Sequence, residues 1–278
     1  MTFYCFLVTA RDATVAMAEF IAGSEVEFVD MMNKKVKELG LKNTFFKNCT
    51  GLDEEGHYSS AYDMAVIARE LLKHEKILEF SSVYEDYLRE DTDNKFWLVN
   101  TNKLVRFYEG ADGLKTGHTD AAKYCLAASA KRDDLRLIAI VLGEDNSQIR
   151  NSETMSLLDY GFNNYKIEIL KTTDDIVKEI SLDKATSPKI SLVPMNDIAI
   201  LSKKSADNKK YTYDIKITNN NLPLKKGDEV GKIIVKDSDN NKIKEEGLTV
   251  TENVDKLNFL ELLGKTLTDM MVGNMNFV

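Results

Sequence analysis

The stretch GADGLKTGHT, residues 109–118, sets a lysine, a threonine and a glycine in succession, Lys115-Thr116-Gly117, just ahead of an apolar run. A cation, a hydroxyl and a position without a side chain, side by side on an exposed strand, can bind a carboxylate while a peptide lies close against the backbone. Three such residues also meet by chance, so their surroundings carry the specificity. The following segment, DAAKYCLAASAKRDDLRLIAIVLG, contains two apolar runs that read as strands, as the edge of a catalytic cleft would need behind it.

Composition narrows the chemistry. At 278 residues the chain is long enough for two domains, and its 43% apolar and 29% charged residues are those of an ordinary globular protein. A net charge of −8 leaves no basic surplus to neutralise phosphates, which argues against nucleic acid as a partner. The three cysteines, Cys5, Cys49 and Cys125, have no paired spacing and read as isolated packed thiols; the three histidines form no metal-ligand pair. Neither a metal nor a cofactor is expected. His57 reads as a loop-anchoring hydrogen bonder and His74 as solvated surface.

The elements that must hold the motif follow from periodicity. Residues 12–39 read as two helices broken at Gly23, the second opened by a Ser24/Glu27 capping box, packed through Phe28, Met32, Val36 and Leu39, and ended by Gly40. A turn-rich loop, NTFFKNCTGLDEEGHYSS, precedes a helix capped by Ser60, with Met64, Ile67, Ala68, Leu71 and Leu72 inward. FWLVNTNKLV, YCLAASA and RLIAIVLG read as strands, and NSQIRNSETMSLLDYGFNNY as a helix packed through Ile149, Met155, Leu157, Leu158 and Phe162. Trp97, Phe45, Phe46, Tyr84 and Tyr87 read as packing aromatics rather than a sugar platform; EDTDN, at 90–94, reads as a solvated connection. After Tyr165 short alternating runs separated by Asn, Asp, Gly and Lys turns predict a small β-sandwich over 166–252. An amphipathic helix is expected within 253–278, with Leu260, Leu263, Leu267 and Met270 or Met271 on one side, facing either its own protein or a membrane interface.

The segment NTNKLVRFYEGADGLKTGHTDAAKYCLAASAKRDDLRLIAIVLG is similar to the corresponding stretch of the D-alanyl-D-alanine carboxypeptidases, the low-molecular-mass penicillin-binding proteins, and the likeness extends over essentially the whole chain. The resemblance implies an α+β fold: a penicillin-binding, β-lactamase-like domain over 1–165, lacking its N-terminal portion, then the β-sandwich and the terminal helix. It implies that Lys115, Thr116 and Gly117 hold the terminal carboxylate of a peptidoglycan stem peptide ending in D-Ala-D-Ala, that the His118 N–H is half of an oxyanion hole, and that Arg150 joins in carboxylate recognition. β-Lactams become candidate ligands. An extracytoplasmic location peripheral to the membrane is also implied.

Two parts of the family pattern depart. Where a Ser-x-Asn belongs, the chain reads Thr9-Ala10-Arg11; Thr9 keeps a hydroxyl able to relay a proton, but Arg11 replaces an amide by a cation that can only donate. The Ser-x-x-Lys nucleophile and base belong several dozen residues earlier. The sole Ser-x-x-Lys here, Ser181–Lys184, falls in the β-rich part and reads as chance. The opening residues show no basic segment or cleavage site of a signal peptide, so the chain as given is expected to stay in the cytoplasm and to be inactive as a carboxypeptidase. The missing segment is expected to leave a sheet edge and an apolar helix face uncovered. The second reading is a stem-peptide-binding or regulatory pseudoenzyme; a class A β-lactamase shares the Lys-Thr-Gly chemistry but fits the β-rich part badly.

Overall fold

A computed structural model describes residues 11–205 and 210–272, and they form two compact units that divide between Asn164 and Tyr165. The first opens with α1 (Arg11–Ala22) and α2 (Glu25–Glu38), separated at Gly23, whose φ of +87° is one that L side chains rarely adopt. The Ser24 hydroxyl accepts from the Glu27 N–H, so the expected cap forms, and Val29 joins Val36 in the buried stripe. Helix α3 (Ala61–Leu71) starts at Ser60, whose hydroxyl accepts from the Asp63 N–H. Asp63 is itself buried and accepts from the Asn43 N–H and the Thr44 hydroxyl, tying the helix to the loop before it.

A 3₁₀ turn (Glu75–Ile77) and α4 (Leu78–Ser81) lead to the hairpin β1 (Glu85–Leu88) and β2 (Phe96–Val99), whose connection at 90–94 is exposed. FWLVNTNKLV is therefore not one strand. It is a strand as far as Val99, a turn at Asn100–Asn102, and a helical turn, α5 (Leu104–Phe107). The apolar residues on both sides of the turn suggested continuity, but both asparagine side chains bond the backbone and end the ladder.

The central sheet follows in the order β3-β4-β5, antiparallel throughout: β3 (Ala111–Thr119), β4 (Lys123–Arg132) and β5 (Leu135–Glu144). Leu114, Leu126, Ala128, Ala139 and Val141 are buried in it. Helix α6 (Ser147–Asn164) packs against β5 and β4 so closely that a Cβ on Gly161 would lie 2.4 Å from Leu137 Cδ1. Its buried face is Arg150, Thr154, Leu158, Gly161 and Phe162, whereas Ile149 and Leu157 point to solvent. The apolar pattern misplaced that face because two of its inward positions are polar. Trp97 and Tyr87 on the hairpin and Phe45 in the turn-rich loop, expected to pack, are exposed, Trp97 at 56%; Phe96 beside Trp97 is exposed as well. Phe20 and Val26 are also exposed, at the junction of α1 and α2.

The second unit pairs β6 (Tyr165–Lys171) with β9 (Ile198–Lys203), and arranges β7 (Lys178–Ile180), β8 (Ile190–Pro194), β10 (Thr212–Ile217), β11 (Gly231–Lys236) and β12 (Lys242–Val250) in a sheet of order β10-β11-β12-β8-β7. Leu192, Ile198, Ile233, Leu248 and Val250 belong to its core. Within the described part of the span 253–278, Val254 is buried in a bridge to Leu224, and α7 covers Phe259–Val272. Phe259, Leu260, Leu263, Leu267, Met270 and Met271 on α7 are exposed, so this apolar face is not packed against the described residues. No helix among the described residues is long and apolar enough to cross a membrane.

Candidate active site

Strand β3 carries the Lys-Thr-Gly and is held at its start by three separate devices. Arg136 on β5 donates to both carboxylate oxygens of Asp112, at 2.9 and 2.7 Å, and to the Ser129 hydroxyl on β4, crossing the whole sheet. The Ser81 hydroxyl at the end of α4 donates to the Asp112 carbonyl, 2.7 Å. Asn102, fully buried, donates from Nδ2 to the Gly113 carbonyl at 3.0 Å and accepts from the Leu104 N–H at 3.2 Å. Asn100, also buried, donates to the carbonyls of Ser81 and Val83 and accepts from the Asn102 N–H. The two amides lock the turn between them, and the residue they lock is Thr101.

The far end of β3 is fastened to the turn-rich loop. Asp53 accepts from the Thr119 hydroxyl at 2.6 Å and from the Ala121 N–H. The loop is wound around Asn48, whose Oδ1 accepts from the N–H groups of Gly51 and Leu52 and the Thr50 hydroxyl. His57 anchors it as expected: Nδ1 accepts from the Lys47 N–H, and the ring meets Phe46 edge-on. Burial pulls the His57 pKa below its ordinary value. His74 is exposed.

Between these elements lies a cleft of about 790 Å³. Lys115, Thr116, Gly117 and His118 line it from β3, Arg150 from α6 and Arg11 from the start of α1. Lys103 adds a fourth cation, and no carboxylate is among the lining residues. The Lys115 ammonium donates to the Thr116 carbonyl at 3.2 Å. Arg150 is only 5% exposed; its guanidinium donates to the Asn151 side-chain oxygen, and no acidic group among the described residues lies within ion-pair distance of it. Burial holds its pKa below the ordinary arginine value, the expected sign for a desolvated cation. A cleft with this charge and these donors favours a small carboxylate.

At Gly117 a Cβ would meet only Cys125 Cβ, at 3.9 Å, an ordinary contact. The protein's own packing therefore does not require glycine there. The His118 ring lies against Tyr124 across the ladder, centroids 4.1 Å apart. Cys49, also on the cleft wall, is held in its thiol form: burial and the Glu25 carboxylate, which accepts from Sγ at 3.2 Å, push its pKa up to about 11. Thr9 lies outside the described residues. Ser181 and Lys184 lie in the second unit, between β7 and β8. No group of three metal-ligating side chains occurs among the described residues.

Residue reading alone missed Thr101, which lines the cleft with its hydroxyl 2.6 Å from that of Thr116. The available signal was its position between two asparagines in NTN, a pattern that favours a side-chain-bonded turn.

The antiparallel sheet, the flanking helices and the Lys-Thr-Gly edge of the cleft are the arrangement of a penicillin-binding type of domain, here followed by a β-rich domain. Residues 1–146 match the D-alanyl-D-alanine carboxypeptidase family, and residues 166–256 match the C-terminal domain of penicillin-binding protein 5. The chain belongs to the D-alanyl-D-alanine carboxypeptidase family. It is 48% identical over 264 residues to D-alanyl-D-alanine carboxypeptidase DacF of Bacillus subtilis, covering 95% of this chain and 68% of that one. With the Escherichia coli K12 enzyme DacA it shares 35% over 256 residues, 91% of this chain and 62% of that one. The crystal structure of penicillin-binding protein 5 from Haemophilus influenzae superposes with a TM-score of 0.69 at 32% identity, over 91% of this chain and 73% of that one. The chain thus spans about two thirds of the length of the two curated relatives.

Proposed function

We propose that this chain provides the carboxylate-recognising part of a D-Ala-D-Ala carboxypeptidase site that trims peptidoglycan stem peptides. The observation that carries the reading is the cleft itself: Lys115, Arg150, Arg11 and Lys103 around the Lys-Thr-Gly edge with no acid among them. The Lys115 ammonium and the Thr116 hydroxyl donate to the terminal carboxylate of the substrate, and Arg150 adds positive charge from a dry wall. Gly117 leaves the penultimate residue room to lie along β3. The His118 N–H serves as one donor to the oxyanion that forms when the scissile carbonyl is attacked. β-Lactams, which carry a carboxylate next to a reactive amide, fit the same donors.

Attack itself needs a serine with a neighbouring base, and the only Ser-x-x-Lys in these 278 residues is in the second unit. A polypeptide of these residues alone binds and is not acylated, which is also the behaviour of a pseudoenzyme. Work at the outer face of the membrane is part of the reading, with the exposed apolar face of α7 as a peripheral contact. Nothing supports placement in the cytoplasm.

Calorimetry with N-acetyl-D-Ala-D-Ala and its C-terminal amide tests this. The acid should bind about tenfold or more tightly than the amide, and Lys115→Met should abolish the difference, because charged hydrogen bonds contribute about 1.5–3 kcal/mol. Equal binding of acid and amide would refute carboxylate recognition. Intact-mass analysis after incubation with a fluorescent penicillin should show no adduct; an adduct would identify a nucleophile among these residues.

A further inference from the structure

We propose that Thr101 is a positioning residue for the carboxylate site, aiming the Thr116 hydroxyl at the ligand; the inference rests on the carboxylate reading above. The two hydroxyl oxygens are 2.6 Å apart, so one proton lies between them, and either residue can donate it. A carboxylate is acceptor-only. When one arrives, Thr116 must turn its single proton toward it, and its oxygen is then left as an acceptor, with the Thr101 hydroxyl 2.6 Å away to donate. Binding therefore selects one direction for the chain, Thr101 to Thr116 to carboxylate, and hydrogen bonds running in one direction strengthen one another.

The fold does not need this hydroxyl for itself. Thr101 is exposed on the cleft wall, where water would satisfy it. Its neighbours on both sides are buried asparagines whose amides bond α4, the segment after it and β3, so the Thr101 backbone has little freedom to move away from Thr116. A rigidly held hydroxyl on a solvent-facing surface, aimed at the one side-chain hydroxyl of the Lys-Thr-Gly, is a pre-organising device.

The test compares Thr101→Val, which keeps the branched shape and loses the hydroxyl, with Thr101→Ser, which keeps the hydroxyl. Affinities for N-acetyl-D-Ala-D-Ala and its amide are measured by calorimetry on the whole chain, with Thr101→Ala as a second route to the same loss and Trp97 emission as the check on folding. Thr101→Val and Thr101→Ala should each weaken the acid about five- to tenfold and leave the amide unchanged, while Thr101→Ser stays within about twofold of the unaltered chain. The proposal is overturned if Thr101→Val binds the acid normally, if acid and amide weaken in step, or if Thr101→Ser is as weak as Thr101→Val. If the unaltered chain does not prefer acid to amide, the carboxylate reading falls and takes this one with it. If Lys115→Met removes that preference and Thr101→Val does not reduce it, only the role of Thr101 falls.

Discussion

Replacing Asn102 by alanine should unlock the Lys-Thr-Gly strand, and the cost can be worked from the contacts. The side chain is fully buried and satisfies two backbone groups, the Gly113 carbonyl and the Leu104 N–H. Each buried group left without a partner costs about 1–3 kcal/mol, so the pair costs about 2–6 kcal/mol before any cavity term. Taking about 3 kcal/mol and a urea slope of about 2 kcal/mol per molar, the unfolding midpoint drops by about 1.5 M. The chain has one tryptophan, Trp97, on the strand leading into this turn, so its emission reports the first unit alone. Asn102→Leu, which refills the volume without restoring either bond, should lose nearly as much; Asn94→Ala, in the exposed hairpin connection, should move the midpoint by less than about 0.3 M. A shift below about 0.5 M for Asn102→Ala, or recovery by leucine, would show that the two backbone groups do not depend on the amide.

Cys49 gives a second expectation. With its pKa pushed from 9.0 to about 11, the thiolate fraction at pH 8 falls from about one in ten to about one in a thousand. Iodoacetamide should then modify it about a hundredfold more slowly than an unshifted thiol, and Glu25→Gln should recover part of that rate, burial being the larger cause. Because the folded thiol holds its proton more tightly than the unfolded one, the associated stability is present below pH 9 and is lost as pH rises toward 11; an increase over that interval would contradict the assignment. In the second unit, hydrogen bonds from Lys242 and Lys232 hold the Glu245 carboxyl near 2. Its contribution should be present above pH 4.5 and vanish as pH falls toward 2, and thermal melts of Glu245→Gln should lack that component of the acid dependence.

Where one physical rule dominated, the sequence was sufficient. Ser24 and Ser60 cap helices because a short hydroxyl ahead of an amphipathic run has few better uses, and the strands at YCLAASA and RLIAIVLG follow from continuous apolar pattern. The cleft residues of β3 were legible because Lys115, Thr116 and Gly117 are consecutive. Arg150 was legible only by resemblance, since a buried arginine on the inward face of α6 violates the apolar pattern that locates such faces. The Asn100–Asn102 turn hid inside an apolar stretch, and the Asp53–Thr119 bond joins residues 66 positions apart, which no local rule reaches. Trp97 was misjudged because aromatic residues are assigned to cores by average behaviour, and this hairpin presents its aromatic face to solvent.

The four cations of the cleft sit in a chain whose net charge is −8, so an anionic ligand meets two opposing fields on its way in. At distance the whole chain repels it; inside the cleft the local charges attract it. Salt separates the two, because at about 0.1 M the Debye length is about 10 Å, enough to quench the long-range repulsion while leaving contacts at a dry wall largely intact. Moderate ionic strength should therefore quicken the arrival of a carboxylate-ended peptide while doing little to hasten its departure, the reverse of the behaviour of a uniformly basic binding protein.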